Sequence, residues 1–155
     1  MQAKISAALP TGVYVVTVRH GDRINGMTAA WVTQVSFKPP MAGVAVAPAR
    51  YTHDLIQEAG RFCLNALPEG AADLARHFGF KSGRKVDKFK AVAYSSALRG
   101  SPVLEAACAY VECEVDGSCT TGDHTFFYGT VIDAGVLKEG TRPLVFRWED
   151  FFGGK

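Results

Sequence analysis

The sequence predicts a mainly β fold with short helices, arranged as an antiparallel barrel. Extended β-type runs dominate the chain, and turn residues separate them. No GxGxxG motif follows any of these runs, which argues against a dinucleotide-binding fold of alternating strands and helices. The 155 residues are 48% hydrophobic and 21% charged, a composition typical of one folded domain. We therefore expect a single domain over residues 1–155.

Four strands and two short helices are expected in the first half of the chain. Runs of β-branched and aromatic residues mark the strands, and the turn at 20–22 joins the first two as a hairpin. Thr52 or Asp54 is expected to cap the first helix, and one apolar stripe marks the second. The expected strands are Gly12–Arg19, Ile24–Val32, Met41–Ala47 and Arg61–Leu67, and the expected helices are 52–59 and Ala71–Phe78.

Three further β-type runs are expected to return as strands in the second half. They are Ala107–Val115, Thr125–Leu137 and Leu144–Trp148. Turn residues predict breaks at Asp116–Gly117 and Gly122–Asp123.

Charge and composition restrict the classes of function. Seventeen basic and fifteen acidic residues leave a net charge of +2, which gives no support for nucleic-acid binding. No apolar run approaches the roughly 20 residues that cross a bilayer, and no export signal is seen, so we expect a cytoplasmic protein. The cysteines form no CxxC pair, and we expect free thiols in strands and no metal site; they are Cys63, Cys108, Cys113 and Cys119.

The segment Thr28–Ser36 combines hydroxyl side chains with small residues. Ala29 and Ala30 leave the backbone unobstructed, so a flat, phosphorylated ligand is able to approach main-chain N–H groups there. The alternative interpretation is a barrel strand whose hydroxyls face water.

Two cationic segments are candidate phosphate anchors. Arg50, Tyr51 and Thr52 precede a predicted helix, whose N-terminus favours an anion. The loop Lys81–Lys85, which includes Ser82 and Arg84, places three cations around a glycine. The alternatives are an ordinary capped helix with an exposed arginine, and a solvated loop.

The order of these segments resembles the flavin reductase-like family, which binds FMN on a split β-barrel. The resemblance runs through Asn25–Val46, Arg50–Leu55, His77–Arg84 and Gly122–Val131. The stretch GVYVVTVRHGDRINGMTAAWVTQVSF, residues 12–37, is especially similar to the flavoredoxin subgroup. The resemblance implies bound FMN, preferred over FAD because the cationic segments suit a terminal phosphate.

The resemblance also implies which residues contact the cofactor. It places Met27, Thr28, Ala29 and Ala30 along the isoalloxazine, and Val35 and Ser36 near the ribityl phosphate. Trp31 either covers the ring or packs in the core. The implied cofactor-binding set is Met27, Thr28, Ala29, Ala30, Trp31, Val35, Ser36, Ala47, Arg50, Tyr51, Thr52, Lys81, Ser82 and Arg84.

The Gly122-Asp123-His124 motif implies a catalytic position. In the family this histidine is placed near the nicotinamide or the reactive edge of the flavin, and the alternative is a surface histidine at a hairpin. The implied reaction is hydride transfer from NADH or NADPH to flavin, because the cofactor carries the chemistry. Two alternatives are open: electron transfer between redox protein partners, and a split barrel that stores flavin without turnover.

A homodimer is also implied by the resemblance. The aromatic run Arg147–Phe152 is a candidate interface element, because exposed aromatic residues favour association. Its alternative role is a last strand packed on its own barrel.

Overall fold

The computed structural model describes residues 1–153, which contain nine strands and four helices. In chain order they are α1 Gln2–Ala8, β1 Tyr14–His20, β2 Arg23–Ala29, β3 Val32–Phe37, β4 Pro40–Val46, α2 Tyr51–Ala59, β5 Arg61–Ala66, α3 Ala72–Gly79, β6 Tyr94–Ser96, β7 Pro102–Leu104, β8 Ala109–Thr121, β9 His124–Val136 and α4 Trp148–Phe152.

Seven of the strands form one antiparallel sheet in the order β2-β1-β5-β8-β9-β4-β3. The sequence neighbours β2 and β3 therefore lie at opposite edges, and the sheet curls so that the two-residue corner Ala30–Trp31 joins them. We call the place where these edges face each other the seam. At this corner the backbone N–H of Ala45 donates to the carbonyl of Trp31 over 3.0 Å. The seam makes the barrel split rather than closed.

The long hairpin β8–β9 contains an irregularity that one glycine permits. Asp116 has no partner, since Val115 lies opposite Gly129 and Gly117 lies opposite Tyr128. Such a bulge bends the strand and increases its twist. A Cβ atom at Gly129 would collide with the carbonyl oxygen of Glu114 on the neighbouring strand. Gly129 is therefore needed for the close approach of the two backbones.

Three hydrophobic clusters stabilise the fold, and the smallest joins Cys63, Ala97 and Val103. The first fills the barrel and includes Val44 and Phe127, with Leu55 of α2 covering it. The second lies under α3 and joins Phe78 to Phe89. Burying side chains of this size contributes about 1.5–3 kcal/mol each.

Lys88 is a buried cation beneath α3, only 4% exposed. Its ammonium Nζ donates to the carbonyl oxygens of Gly26 on β2 and Phe78 near the end of α3, each over 2.9 Å. Burial, and secondarily the charge of Arg50, lower the pKa of Lys88 from its usual 10.5 to about 8. Lys88 thus fastens the end of α3 to strand β2.

Most expected elements are present, and four expectations are wrong. The expected strand Ile24–Val32 ends at Ala29, because the corner Ala30–Trp31 separates it from β3. Leu144–Trp148 is not a strand, since Val145 makes only an isolated bridge to Gly12 and Trp148 begins α4. The expected break at Asp116–Gly117 is a bulge within β8. Neither expected residue caps α2, whose N-cap is Arg50 without a side-chain hydrogen bond. Two helices, α1 and α4, were not expected.

The remaining structural expectations concern thiols, metals and membranes. The four cysteines are free, and only Cys119 is exposed. Within residues 1–153, no group of three His, Cys, Asp or Glu side chains is placed to hold a metal ion. No helix in this described part is long and apolar enough to span a bilayer.

Candidate functional site

A cavity of about 590 Å³ lies beside the seam, and segments distant in sequence line it. Its size falls within the range of about 300–1,000 Å³ typical of small-molecule sites. The lining residues of the barrel and its helices α2 and α3 are Met27, Thr28, Ala29, Ala30, Trp31, Ala45, Ala47, Arg50, Ala75, Gly79, Phe80 and His124. The lining residues near the two ends of the chain are Gln2, Ile5, Ser6, Leu9, Thr11, Phe146, Trp148, Phe151 and Phe152.

Small residues make up part of the cavity lining. Ala29 ends β2 and Ala30 follows it in the corner, Ala45 lies in β4 and Ala47 follows it, and Gly79 ends α3. Their short side chains leave space directly above the backbone, which suits a flat ring system. The hydroxyl of Thr28 already donates to the carbonyl of Ala75 over 2.5 Å, so its hydrogen is not available to a ligand.

Arg50 supplies positive charge to the lining of this cavity. It is the N-cap of the nine-residue helix α2, and its side chain is exposed among the lining residues. A helix N-terminus and a guanidinium together favour an anion. Arg50 is therefore the cation that the structure places best for a phosphate.

His124 and Trp31 face the cavity from the barrel rim. Their ring centroids are 4.6 Å apart, with the rings tilted by 58°. The ring atom Nδ1 of His124 lies 2.8 Å from the carboxylate of Asp123. Because a carboxylate only accepts hydrogen bonds, we assign the hydrogen to Nδ1. The hydrogen bond from His124 also lowers the pKa of Asp123. The atom Nε2 of His124 is then the one left for a ligand.

The expected cationic loop makes its contacts away from the cavity lining. Arg84 pairs with Asp54 over 2.5 Å and lies 4.9 Å from the centre of the Tyr51 ring. The hydrogen bond from Arg84 lowers the pKa of Asp54. Lys81 contacts Nδ1 of His77 over 3.2 Å, and Ser82 accepts a hydrogen bond from the backbone of Arg84.

The other expected residues outside the lining are Val35, Ser36, Tyr51 and Thr52. Val35 and Ser36 lie at an irregularity of the edge strand β3. Thr52 is buried and its hydroxyl accepts from the side chain of Asn25 over 2.9 Å. A cofactor role for these residues and for the cationic loop stays a prediction. The structure brings together Met27–Trp31, Ala47, Arg50 and His124.

Sequence reasoning missed the contribution of both chain ends to the cavity. The aromatic residues near the C-terminal end were assigned to an interface or a strand, yet Trp148, Phe151 and Phe152 line the cavity. Phe152 also packs against Phe80, with ring centroids 6.0 Å apart. The pair Ile5 and Leu9, spaced by four residues, was the available signal for a helix with one apolar face.

Residues 6–155 match the family model described as the flavin reductase like domain. The chain belongs to this family. The resemblance and the split-barrel fold expected from the sequence are thereby confirmed, since the solved structures of similar fold include flavin reductases and a flavoredoxin.

Curated relatives of this family member are longer proteins. A high molecular weight rubredoxin from Moorella thermoacetica is 36% identical over 150 residues, covering 96% of this chain and 65% of the relative. The diflavin flavoprotein A 1 of a Synechocystis species is 40% identical over 128 residues, covering 82% of this chain and 22% of the relative. The chain thus spans less than two thirds of these relatives.

Solved structures of similar fold include proteins whose ligands are named. An FMN-binding protein from Thermus thermophilus has a TM-score of 0.84 and 35% identity, covering 92% of this chain and 85% of that one. An NADH:FAD oxidoreductase from Streptomyces globisporus C-1027, in complex with NAD and FAD fragments, has a TM-score of 0.82 and 34% identity. That match covers 90% of this chain and 82% of the other. A flavoredoxin from Methanosarcina acetivorans has a TM-score of 0.77 and 29% identity, with coverages of 82% and 69%.

Proposed function

We propose that this flavin reductase family member binds FMN and acts as a flavin oxidoreductase with NADH or NADPH as hydride donor. The observation that carries the proposal is the cavity of about 590 Å³, whose lining combines small residues with Arg50. A flat ring lies against small residues, and a phosphate lies near a guanidinium at a helix N-terminus. The residues present therefore fit FMN.

The cofactor supplies the hydride chemistry when it is bound, and this chain supplies position and charge. Ala29, Ala30 and Ala47 bring backbone close to the ring, and Arg50 holds the phosphate. His124, oriented by Asp123, presents Nε2 to the cavity, where it contacts the hydride donor or holds a proton. The apolar residues near the chain ends exclude water from the same space.

Replacing Arg50 with glutamine tests the assignment of the phosphate. We expect apoprotein to bind FMN about 10- to 100-fold more tightly than riboflavin, because a hydrogen bond to a charged group contributes about 1.5–3 kcal/mol. Arg50→Gln is expected to reduce this preference, whereas Arg142→Gln, an exposed arginine outside the cavity, is not. Fluorescence quenching during titration with FMN, FAD and riboflavin measures the three dissociation constants. Equal affinity of the unmodified protein for FMN and riboflavin would show that no phosphate is recognised.

Replacing His124 with alanine tests its role toward the hydride donor. We expect the single-turnover rate of reduction by NAD(P)H to fall by more than the FMN affinity does. Loss of a general acid or base lowers rates by about 10²–10⁴-fold, and we expect a smaller effect because hydride transfer needs no protein base. His20→Ala, a half-buried histidine outside the cavity, is the control. An unchanged rate together with weaker FMN binding would make His124 a cofactor ligand instead.

Electron transfer between proteins is the second candidate function. The names of the relatives favour it, because they include a rubredoxin, a diflavin flavoprotein and a flavoredoxin. In this case bound FMN exchanges electrons with a redox protein partner, and NAD(P)H reduces the bound FMN only slowly. Stopped-flow reduction by NADH and NADPH, followed by reoxidation with a rubredoxin-type protein, separates the two functions. Fast reoxidation by that protein without fast reduction by nicotinamide would favour electron transfer.

We also propose a homodimer. The helices α1 and α4 line the cavity while remaining largely exposed, with Ile5, Leu9 and Phe152 among the exposed apolar residues. A second copy that covers this side would bury more of a bound ligand, as tight sites do. Sedimentation velocity at micromolar concentration is expected to show a dimer. A monomer that binds FMN tightly would contradict this proposal.

A further inference from the structure

His53 is a buried polar residue near the start of α2, only 6% exposed. Its ring atom Nε2 lies 2.8 Å from the hydroxyl oxygen of Thr125 on β9, and Nδ1 lies 3.4 Å from the carboxylate of Asp54. Because that carboxylate only accepts hydrogen bonds, we assign the hydrogen to Nδ1, and Nε2 then accepts from the Thr125 hydroxyl. One side chain thus ties the first turn of α2 to strand β9.

The two residues of this hydrogen bond adjoin the two polar groups of the cavity. The backbone N–H of His53 donates to the carbonyl of Arg50 over 3.1 Å, within the turn that begins α2. Thr125 directly follows His124, and its backbone is paired with β4 on one side and with β8 on the other. The hydrogen bond between His53 and Thr125 is therefore a short path between Arg50 and His124, which are distant in sequence.

Two buried side chains fasten the first turn of α2 to the barrel. The hydroxyl of Thr52 accepts from Asn25 on β2, and the ring of His53 bonds to β9. Arg50, the N-cap, makes no side-chain capping hydrogen bond, and its side chain is exposed. The contact of Thr52 fixes this turn relative to β2, whereas the contact of His53 fixes it relative to the strand that carries His124.

We propose that His53 is a positioning residue, which fixes the spacing between Arg50 and His124 through its hydrogen bond to Thr125. The inference rests on the proposed function, in which Arg50 holds the phosphate and His124 faces the reacting end of the cavity. Ligands that contact both groups at once are held productively only if the spacing of the groups matches them. His53 does not line the cavity, so it acts through the two segments that do.

The test compares two variants that remove the same hydrogen bond from its two ends, His53→Leu and Thr125→Val. Each folded apoprotein is titrated with FMN and with riboflavin, and the single-turnover rate of reduction by NADH or NADPH is measured with FMN saturating. We expect each variant to lose about 2- to 10-fold of the preference for FMN over riboflavin, the range of one hydrogen bond. The reduction rate is expected to fall as well, although the flavin site is full. The double variant is expected to lose no more than either single variant, because one interaction is removed.

Three further variants separate positioning from a loss of stability. His53→Gln and Thr125→Ser each keep a hydrogen-bonding group, and they are expected to retain most of the FMN preference and of the rate. Thr17→Val removes a buried hydroxyl on β1 outside the cavity. It is expected to lower stability without changing the FMN preference or the rate. Thr125 is only half-buried, so Thr125→Val carries the test if His53→Leu does not fold.

The outcomes distinguish this inference from the proposed function. If the variants that lack the hydrogen bond are less stable but keep the FMN preference and the rate, the inference is wrong while the proposed function stands. If the double variant loses the sum of the two single losses, the two side chains act separately, and the inference is also wrong. If the unmodified protein binds FMN no better than riboflavin, the phosphate assignment of the proposed function and the inference fail together.

Discussion

Replacing Gly129 with alanine is expected to destabilise the protein by about 3 kcal/mol or more, at the upper end of overpacking effects. The added Cβ would collide with the backbone carbonyl of Glu114, and a backbone in the middle of a sheet moves less easily than a side chain. Gly129 pairs with Val115 on β8 and with Ala42 on β4, so the strand is held on both sides. Urea unfolding followed by circular dichroism measures the loss.

Gly135→Ala is the matched control on the same strand. There the added Cβ would meet the ring of Tyr110, a side chain that is partly exposed and able to move. We expect a smaller loss of stability for Gly135→Ala than for Gly129→Ala. A Gly129→Ala variant as stable as the unmodified protein would show that the backbone of β8 shifts at the bulge to make room for the added Cβ.

Replacing Lys88 with methionine is expected to destabilise the protein at neutral pH. The methionine side chain is similar in length to that of lysine, but it leaves the carbonyl oxygens of Gly26 and Phe78 without their hydrogen-bond donor. An unsatisfied buried acceptor costs about 1–3 kcal/mol, and removal of a buried charge offsets part of this, so we expect a net loss of about 2 kcal/mol. Lys90→Met, an exposed lysine of the same segment, is expected to have little effect. An equal effect of the two substitutions would show that the buried contacts of Lys88 contribute nothing.

The pH dependence of stability provides a second measurement on the same pair of variants. The pKa of Lys88 is about 8 in the folded protein, below the usual 10.5, so between these values the unfolded chain holds the proton and the folded protein does not. Stability contributed by Lys88 therefore rises as pH increases from about 8 to 10.5. A neutral amine still has two hydrogens for its two carbonyl partners. Lys88→Met should remove this rise, and Lys90→Met should not.

The strands were predictable because their signals are local. β-Branched and aromatic residues favour extended backbone, and the hairpins of Tyr14–Ala29 and Ala109–Val136 carry their own turns. The segment Leu144–Trp148 has the same composition, but it pairs with no strand beyond the isolated bridge at Val145. Tertiary contacts therefore override its preference for a strand. The helix α4 was missed because its five residues carry too little periodicity.

The cavity lining was predictable where a motif marks it, as in Met27–Trp31, Arg50 and His124. Met27–Trp31 is contiguous, and its small residues and neighbouring Arg50 pointed to the cavity wall that the structure contains. Other lining residues come from segments near both ends of the chain, and no local sequence pattern predicts that Ile5 and Phe152 line the same cavity. Lys88 was not predicted as a buried residue, because a lysine in a segment rich in charged residues has the pattern of a solvated loop.

The seam has a mechanical consequence for the cavity. Strands β2 and β3 are the two edges of the sheet, and no ladder of hydrogen bonds within residues 1–153 holds them to each other. The corner Ala30–Trp31 crosses this gap and also forms part of the cavity wall. A small opening of the barrel therefore changes the width of the binding space directly, without motion of a separate loop. A bound ligand is therefore expected to stiffen the barrel. It should slow amide hydrogen exchange along both edge strands.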